Sequence, residues 1–235
     1  LHDALPIYIL ANNNWERPLY FVTGNHDDAL GLEEYFQLEG LAYRLVPIKS
    51  ENKSWTEYGR IDTDILYGNV VNKFAWGGAN DPEVNLDYNH IRTLIVIRSR
   101  LVYARLAKAL ASEGKKDKAI QVLDSCMELL PPDRFLPDPY YTDLIDAYFS
   151  AGAPEKATEM TRELTDYYYK RLDYYLRQNP YVLSSAEYEI QSAFQYASKA
   201  ALYCESNGIS DLSEEINAKL EEYYADYVGK RQVVR

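Results

Sequence analysis

Residues 101–131, LVYARLAKALASEGKKDKAIQVLDSCMELLP, constrain the fold of this chain more than any other stretch. Their apolar positions recur at the three- and four-residue spacing of a helix on both sides of a polar segment, residues 113–117. Gly114 tolerates the positive φ at which helices commonly end, Asp117 is a candidate cap for the next helix, and Pro131 prevents its continuation. The stretch therefore predicts two antiparallel helices joined by a short turn.

The order of residues in this hairpin matches the tetratricopeptide template, a helical repeat with a period of about 34 residues. Small residues at Ala107 and Ala119 suit positions where two helix backbones approach closely. A second hairpin is predicted over residues 140–179, where Ala157 takes the place of Ala119, and a third over residues 185–228. The pattern indicates a domain of tetratricopeptide-like antiparallel hairpins at residues 86–235.

Residues 1–80 carry a different pattern, which predicts a small α/β unit. Residues 17–23 and 43–48 are typical of buried strands, and residues 32–38 have apolar positions at helical spacing. A strand, a helix and a strand with short loops favour a two-stranded parallel sheet with a right-handed crossover. Since so small a sheet is marginal alone, we expect it to pack on the helical hairpins. The predicted fold class is α+β, mostly α.

Charge and composition argue against several classes of function. Acidic residues outnumber basic ones 36 to 25, and the net charge of -11 repels phosphate backbones and anionic lipids. No apolar run reaches the roughly 18 residues that a membrane span requires. We therefore expect no nucleic-acid partner and no direct membrane insertion by this chain. Without a legible nucleophile and base, or a phosphate-binding glycine loop, we also expect no enzyme activity and no cofactor.

One motif suggests a metal site. Residues 24–27, Gly-Asn-His-Asp, resemble the metallophosphoesterase signature in which an asparagine and a histidine hold a two-metal centre at the end of a strand. Such a centre needs further Asp and His ligands, yet His90 is the only later histidine. We interpret Asn25 and His26 as part of a polar loop and of a possible ligand surface, with a metal-dependent phosphoesterase as the third functional hypothesis.

Tyrosine is unusually frequent, with 23 residues against 6 Phe and 3 Trp. A ring with a hydroxyl at its edge suits a sugar, and it also fills broad seams between helices while its hydroxyl finds a polar partner. We favour packing, with a carbohydrate-binding module on a tyrosine-rich surface as the alternative. The candidate ligand-binding tyrosines are Tyr141, Tyr148, Tyr168 and Tyr175.

Several long segments resemble one bacterial family. They are residues 13–21 (NNWERPLYF), 31–47 (GLEEYFQLEGLAYRLVP), 103–107 (YARLA), 113–116 (EGKK) and 122–129 (VLDSCMEL). These segments are similar to the C-terminal region of large polytopic membrane proteins, the protein O-mannosyltransferase-like glycosyltransferases with an N-terminal domain of unknown function. Residues 1–8 depart from the family's pattern, and the family's catalytic part lies upstream of anything present here.

The resemblance implies a function beside glycosyl transfer. We expect a non-catalytic, extracytoplasmic accessory domain, periplasmic and tethered to the inner membrane through upstream sequence. The tetratricopeptide-like repeats then act as a scaffold for a protein or peptide partner, such as the membrane domain of the same polypeptide. No catalytic or metal-binding residue of the family can be placed on this sequence.

Overall fold

The structure is a computed structural model that describes residues 4–22, 29–51, 58–87 and 96–232. The chain divides into two units, Leu1–Gly77 and Gly78–Arg235. The described residues are mostly helical, with a small mixed sheet in the N-terminal unit, so the predicted α+β, mostly α class is confirmed.

The described part of the N-terminal unit contains a short helix, a four-stranded sheet and a second helix. They are α1 (Ala4–Asn12), β1 (Tyr20–Phe21), β2 (Phe36–Leu38), β3 (Tyr43–Leu45), β4 (Arg60–Ile61) and α2 (Thr63–Tyr67). Asp62 caps α2 by accepting a hydrogen bond from the backbone N–H of Ile65. One wider helical turn, Gly68–Lys73, continues α2.

The sheet corrects the predicted parallel pair. Its strand order is β1-β3-β2-β4, β3 is antiparallel to both neighbours, and only the β2–β4 pair is parallel. The predicted helix at residues 32–38 is limited to one tight turn, Glu33–Tyr35, and β2 follows it. The reason is the turn at residues 39–42, where Gly40 has a φ of 123° and the Glu39 N–H donates to the Ala42 carbonyl at 3.0 Å. This turn folds β3 directly back on β2.

The core of the N-terminal unit is aromatic. The Phe36 ring is buried and lies 4.7 Å from the Phe21 ring and 5.6 Å from the Tyr43 ring, measured between centroids. Rings at these separations bury large apolar areas and add favourable ring–ring interactions. The short strands are therefore held by side-chain packing as much as by the few ladder hydrogen bonds.

Residues 96–232 form three consecutive helical hairpins. Their helices are α3 (Ile97–Ser112), α4 (Lys116–Leu129), α5 (Tyr141–Ala151), α6 (Pro154–Leu176), α7 (Pro180–Ser185), α8 (Glu187–Ser206) and α9 (Ser210–Gln232). Three pairs of longer helices, α3–α4, α5–α6 and α8–α9, pack as hairpins. The short helix α7 links the second pair to the third. Each turn contains a left-handed glycine: Gly114, Gly152 or Gly208. Asp117 lies inside the first turn of α4 and does not cap it, because the helix already begins at Lys116.

Alanines and a few small side chains line the seams between these helices. Ala107, Ala119 and Ala157 are fully buried, as are Ala193 and Ala197 on α8. The first helices of the hairpins also contact one another, α3 with α5 and α5 with α8. The hairpins therefore stack side by side, and the core runs continuously through them.

Candidate functional site

The structure places the predicted site residues in different environments. Asn25 and His26 lie outside the described residues. The Tyr141 and Tyr148 side chains are only 0% and 2% exposed, and their hydroxyls donate hydrogen bonds to carboxylates, Tyr141 to Glu163 and Tyr148 to Asp124. Both rings therefore face the protein interior and offer no surface to a ligand, in line with packing as the favoured role of the tyrosines.

Tyr168 and Tyr175 lie on α6 near a small depression, Tyr168 buried and Tyr175 partly buried. The Tyr168 ring is 5% exposed and stacks on the Tyr196 ring of α8, with centroids 5.9 Å apart. The Tyr175 hydroxyl accepts a hydrogen bond from Arg171 at 3.3 Å, and Arg171 also donates to the Tyr167 hydroxyl at 2.8 Å. Arg171 and Tyr168 both line the depression, which Tyr175 borders only through Arg171.

We call this depression the notch. It has a volume of about 140 Å³ and lies between the segment that precedes α5 and the facing sides of α6 and α8. Three of its wall residues are tyrosines, and charged or hydroxyl side chains stand between them. The notch is lined by Pro137, Asp138, Pro139, Tyr168, Arg171, Tyr188, Glu189, Ser192 and Tyr196.

A buried ion pair fixes the base of the notch. The Arg100 guanidinium is fully buried and donates to Asp138 Oδ2 at 2.6 Å and to the Phe135 carbonyl at 2.6 Å. It also donates to the Leu136 carbonyl at 3.0 Å, while Asp138 Oδ1 accepts from the Tyr140 N–H at 2.8 Å. Because each carboxylate oxygen has a partner, Asp138 holds the segment in place and is not available to a ligand.

Burial dominates the electrostatics around the notch. Desolvation raises the pKa of the Asp138 carboxyl above its ordinary value, and the adjacent Arg100 charge opposes that rise. Burial likewise raises the pKa of the Tyr196 hydroxyl, with a further rise from nearby Tyr188 and Tyr140. Burial also raises the pKa of the Tyr168 hydroxyl, so the Tyr168 and Tyr196 hydroxyls are neutral at physiological pH and can both donate and accept hydrogen bonds.

Two ion pairs lie across the first helices of the three hairpins, and we call their four residues the charged strip. Its ion pairs join Lys108 of α3 to Asp146 of α5, at 2.5 Å, and Asp143 of α5 to Lys199 of α8, at 3.4 Å. All four side chains are partly exposed, so the pairs stay in contact with solvent. Burial raises the pKa of the Asp143 carboxyl, and the two lysines oppose this. Such a strip can hold a partner that carries both signs of charge.

Two larger depressions are also present, and the first shares Asp138 with the notch. One of about 380 Å³ lies within the helical unit, between residues 82–87 and residues 134–138. The Arg134 guanidinium ties these two segments together by donating to the carbonyls of Asp81 and Val84. The other, about 570 Å³, is a largely apolar groove of the N-terminal unit, lined by Leu10, Ala11, Asn13, Trp15, Leu19, Leu32, Tyr35, Leu45 and Pro47.

Metal and thiol chemistry find little support among the described residues. Across residues 4–22, 29–51, 58–87 and 96–232, no three His, Cys, Asp or Glu side chains lie close enough to hold a metal ion. Cys126 and Cys204 are buried free thiols, and burial raises the pKa of Cys126 to about 12. A thiol with so high a pKa is a poor nucleophile at neutral pH.

Sequence reasoning missed the tyrosines and polar groups that α8 brings to the notch. Tyr188, Ser192, Tyr196, Lys199 and Tyr203 recur every three or four residues along α8 and form one stripe. The stripe alternates with the small core residues of the same helix, so it was visible in the sequence as a polar and aromatic face on an alanine-rich helix.

Comparison with known proteins gives one family match. Residues 2–65 match the model of a family described as TMEM260-associated domain 2, which is consistent with an O-mannosyltransferase-like association. The match begins at residue 2, so the expected departure of residues 1–8 from the family-like sequence is wrong for nearly all of that segment. No curated protein and no solved structure matches the chain. Among the described helices, none is both long and apolar enough to cross a membrane.

Proposed function

We propose that this chain is a non-catalytic accessory region of a membrane-bound, glycosyltransferase-like protein, and that its helical unit holds a protein or peptide partner. The match of residues 2–65 to a TMEM260-associated domain carries the first half of the proposal. The stacked hairpins support the second half, because arrays of this kind present extended surfaces rather than enclosed reaction sites.

The helical unit acts as a tetratricopeptide-like array in this proposal. The first helices of the three hairpins lie side by side, which is the arrangement that such repeats use to build a binding surface. The charged strip of Lys108, Asp143, Asp146 and Lys199 crosses that surface. The partner is a protein segment with charges of both signs, and the membrane domain of the same polypeptide is the first candidate.

The proposed location is extracytoplasmic, on the periplasmic side of the inner membrane, with the anchor in upstream sequence. Digestion of intact spheroplasts with a protease, followed by immunodetection of this chain, checks the location. Degradation without lysis is the expected result. Protection until the cells are lysed contradicts the periplasmic placement.

A peptide selection on the purified chain tests the scaffold. Displayed random peptides are selected on the full chain and then compared on two charge-swapped variants. The first carries Asp143→Lys with Lys199→Asp in the charged strip. The second, a matched control, carries Arg162→Glu with Glu215→Arg, an exposed pair that joins α6 to α9. We expect the selected peptides to lose about tenfold in affinity for the first variant and to keep their affinity for the second.

Two results contradict the proposal. If the peptides bind both variants equally, and circular dichroism shows that both variants are folded, the charged strip is excluded as the binding surface. Transfer or hydrolysis of a sugar or phosphate by the purified chain removes the non-catalytic role.

A further inference from the structure

The notch has an aromatic wall that is already held in place. Tyr188 is 76% exposed, so its ring stands largely in solvent at the rim of the notch. The Tyr196 ring is half-buried and is supported from behind by the stacked Tyr168 ring, at an interplanar angle of 26°. A ligand that contacts these rings therefore meets a preformed surface, with little side-chain entropy to lose at Tyr196.

Hydrogen-bonding groups stand beside these rings. Glu189 and Ser192 line the notch, and within the described part of the chain neither side chain forms a hydrogen bond or an ion pair. Arg171 uses two of its five N–H donors on the Tyr167 and Tyr175 hydroxyls and keeps others for a ligand. Acceptors, a hydroxyl and donors thus surround one small aromatic surface.

The charges of the notch cancel. Asp138 is paired with Arg100 beneath the notch, and the carboxylate of Glu189 is matched by the guanidinium of Arg171 on the opposite wall. The charged side chains of the notch balance one another, and the whole chain has a net charge of -11. Both facts favour a neutral ligand over an anionic one.

The size of the notch limits the ligand further. Its volume of about 140 Å³ is smaller than the sites of about 300–1,000 Å³ that enclose a drug-sized molecule. One six-membered ring is therefore the largest unit that the notch accommodates, and the remainder of the ligand extends into solvent past Tyr188.

We propose that the notch binds one pyranose ring of a neutral glycan. The apolar face of the sugar lies against Tyr188 and Tyr196, and its hydroxyls bond to Glu189, Ser192 and Arg171. A proline ring of a peptide would fit the aromatic surface equally well, but it has no hydroxyls for those three side chains, which favours the sugar. This inference is independent of the peptide scaffold, since Tyr188 and Glu189 are not part of the charged strip.

Nuclear magnetic resonance on the full chain provides the test. The probes are the methyl glycosides of α-mannose, β-glucose and β-galactose, which are neutral and differ in the orientation of single hydroxyls. We expect saturation transfer to at least one glycoside, with a dissociation constant on the order of 1 mM because a single ring makes few contacts. Amide shifts on titration should be confined to Asp138 and to residues 168–171 and 188–196.

Three variants locate the binding. Tyr188→Ala should weaken the glycoside about fivefold and Glu189→Gln about tenfold, through the loss of ring contact and of a charged acceptor respectively. Tyr8→Ala is the matched control, because Tyr8 is 67% exposed but belongs to the N-terminal unit, and it should leave the affinity unchanged.

Some outcomes overturn the inference, and one supports it while separating the notch from the proposed scaffold. Absence of saturation transfer to all three glycosides, or equal losses in the Tyr188→Ala and Tyr8→Ala variants, excludes a sugar site in the notch. Amide shifts in the notch on addition of a polyproline peptide, without any response to the glycosides, assign the notch to a peptide instead. Loss of glycoside binding in Tyr188→Ala with peptide binding intact separates this site from the proposed scaffold.

Discussion

At the scale of single residues, Arg100 is the side chain whose burial most needs explanation. A guanidinium removed from water is unfavourable unless its charge and its donors are satisfied. Asp138 neutralises the charge, and the carbonyls of Leu136 and Phe135 accept hydrogen bonds from the terminal nitrogens, while Nε–H has no partner among the described residues. The pair therefore attaches the segment before α5 to α3, and the notch depends on it for its base.

Removing one member of this pair should be costly. We expect Arg100→Met to lower the free energy of unfolding by about 3–5 kcal/mol, because Asp138 is left buried without its charged partner. Urea unfolding followed by circular dichroism measures the loss. Lys156→Met breaks the exposed pair with Asp124 and should cost no more than about 1 kcal/mol. Equal losses in the two variants would show that Asp138 is not held as a buried charge.

Ionisation of Tyr223 makes the stability of the folded chain depend on pH in the alkaline range. Burial, together with the 3.1 Å hydrogen bond that its hydroxyl donates to Asp173, raises the Tyr223 pKa to about 12, from an unfolded value near 10. Tyr223 thus stays protonated in the folded state where the unfolded chain would ionise. Its contribution to stability is complete below about pH 10 and is lost as the pH rises toward 12.

We therefore expect the wild-type chain to lose more stability than Tyr223→Phe between about pH 9 and about pH 11. Urea unfolding at the two pH values measures the difference. Tyr181→Phe, which alters an exposed tyrosine of α7, should follow the wild-type curve. A Tyr223→Phe curve that is parallel to the wild type would mean that this hydroxyl ionises alike in both states.

Residue roles were the hardest part to predict from sequence. A tyrosine on a helix is equally compatible with a seam and with a surface, and only the neighbouring helices show that Tyr141 and Tyr148 are internal while Tyr188 is external. Arg100 was missed for the same reason. Its partner Asp138 is 38 residues away, so no local pattern connects them.

At the scale of elements, the hairpins follow from local signals. The positive φ of Gly152, 80°, ends α5 and lets Pro154 begin α6. At this glycine an added Cβ would have room, since its nearest contacts are ordinary ones to the Lys116 side chain at 3.6 Å and 3.7 Å. A substitution there therefore destabilises the chain through backbone strain and not through a side-chain clash.

We expect Gly152→Ala to destabilise the chain by about 1–2 kcal/mol, because an L residue is strained at this φ. Gly229→Ala is the matched control inside α9, where an added Cβ meets nothing within 4 Å. It should stabilise the chain by about 0.5–1 kcal/mol. Thermal and urea unfolding measure both changes. Changes of the same sign in the two variants would contradict the backbone explanation.

Ala119 tests the seam between α3 and α4. It is fully buried, so an arginine there would bring both excess volume and an unpaired charge into the core. We expect Ala119→Arg to unfold the first hairpin and to remove most of the cooperative transition in urea. Gln121→Arg, on the exposed side of the same helix, should change stability by less than about 0.5 kcal/mol. A small effect of Ala119→Arg would place the helix contact elsewhere.

Strands were predicted less well than helices. The helical hairpins are encoded by a periodic pattern of more than ten residues each, whereas the strands are two or three residues long and carry too little pattern. The segment around Phe36 has apolar residues compatible with one turn of helix. Its strand character comes from pairing with β3 and β4, which are distant interactions that residues 32–38 do not reveal.

At the scale of the whole molecule, the two units are built by different means. The N-terminal unit has an aromatic core around Phe36, and the helical unit has a continuous core in which each hairpin covers the next. In such a stack the inner hairpin faces are apolar and the last helix is polar on its outer side. Removing a hairpin at one end therefore uncovers core residues of its neighbour.

This architecture predicts how the chain responds to truncation. We expect a fragment of residues 78–235 to fold cooperatively, since it retains all three hairpins, and a fragment of residues 130–235 to lose its cooperative transition. The shorter fragment lacks α3 and α4, which leaves the buried face of α5, including Leu144 and Ile145, open to water. Far-UV circular dichroism and urea unfolding distinguish the two. A sharp transition in the shorter fragment would show that the hairpins fold independently, so that the covering of one hairpin by the next is not what holds the array together.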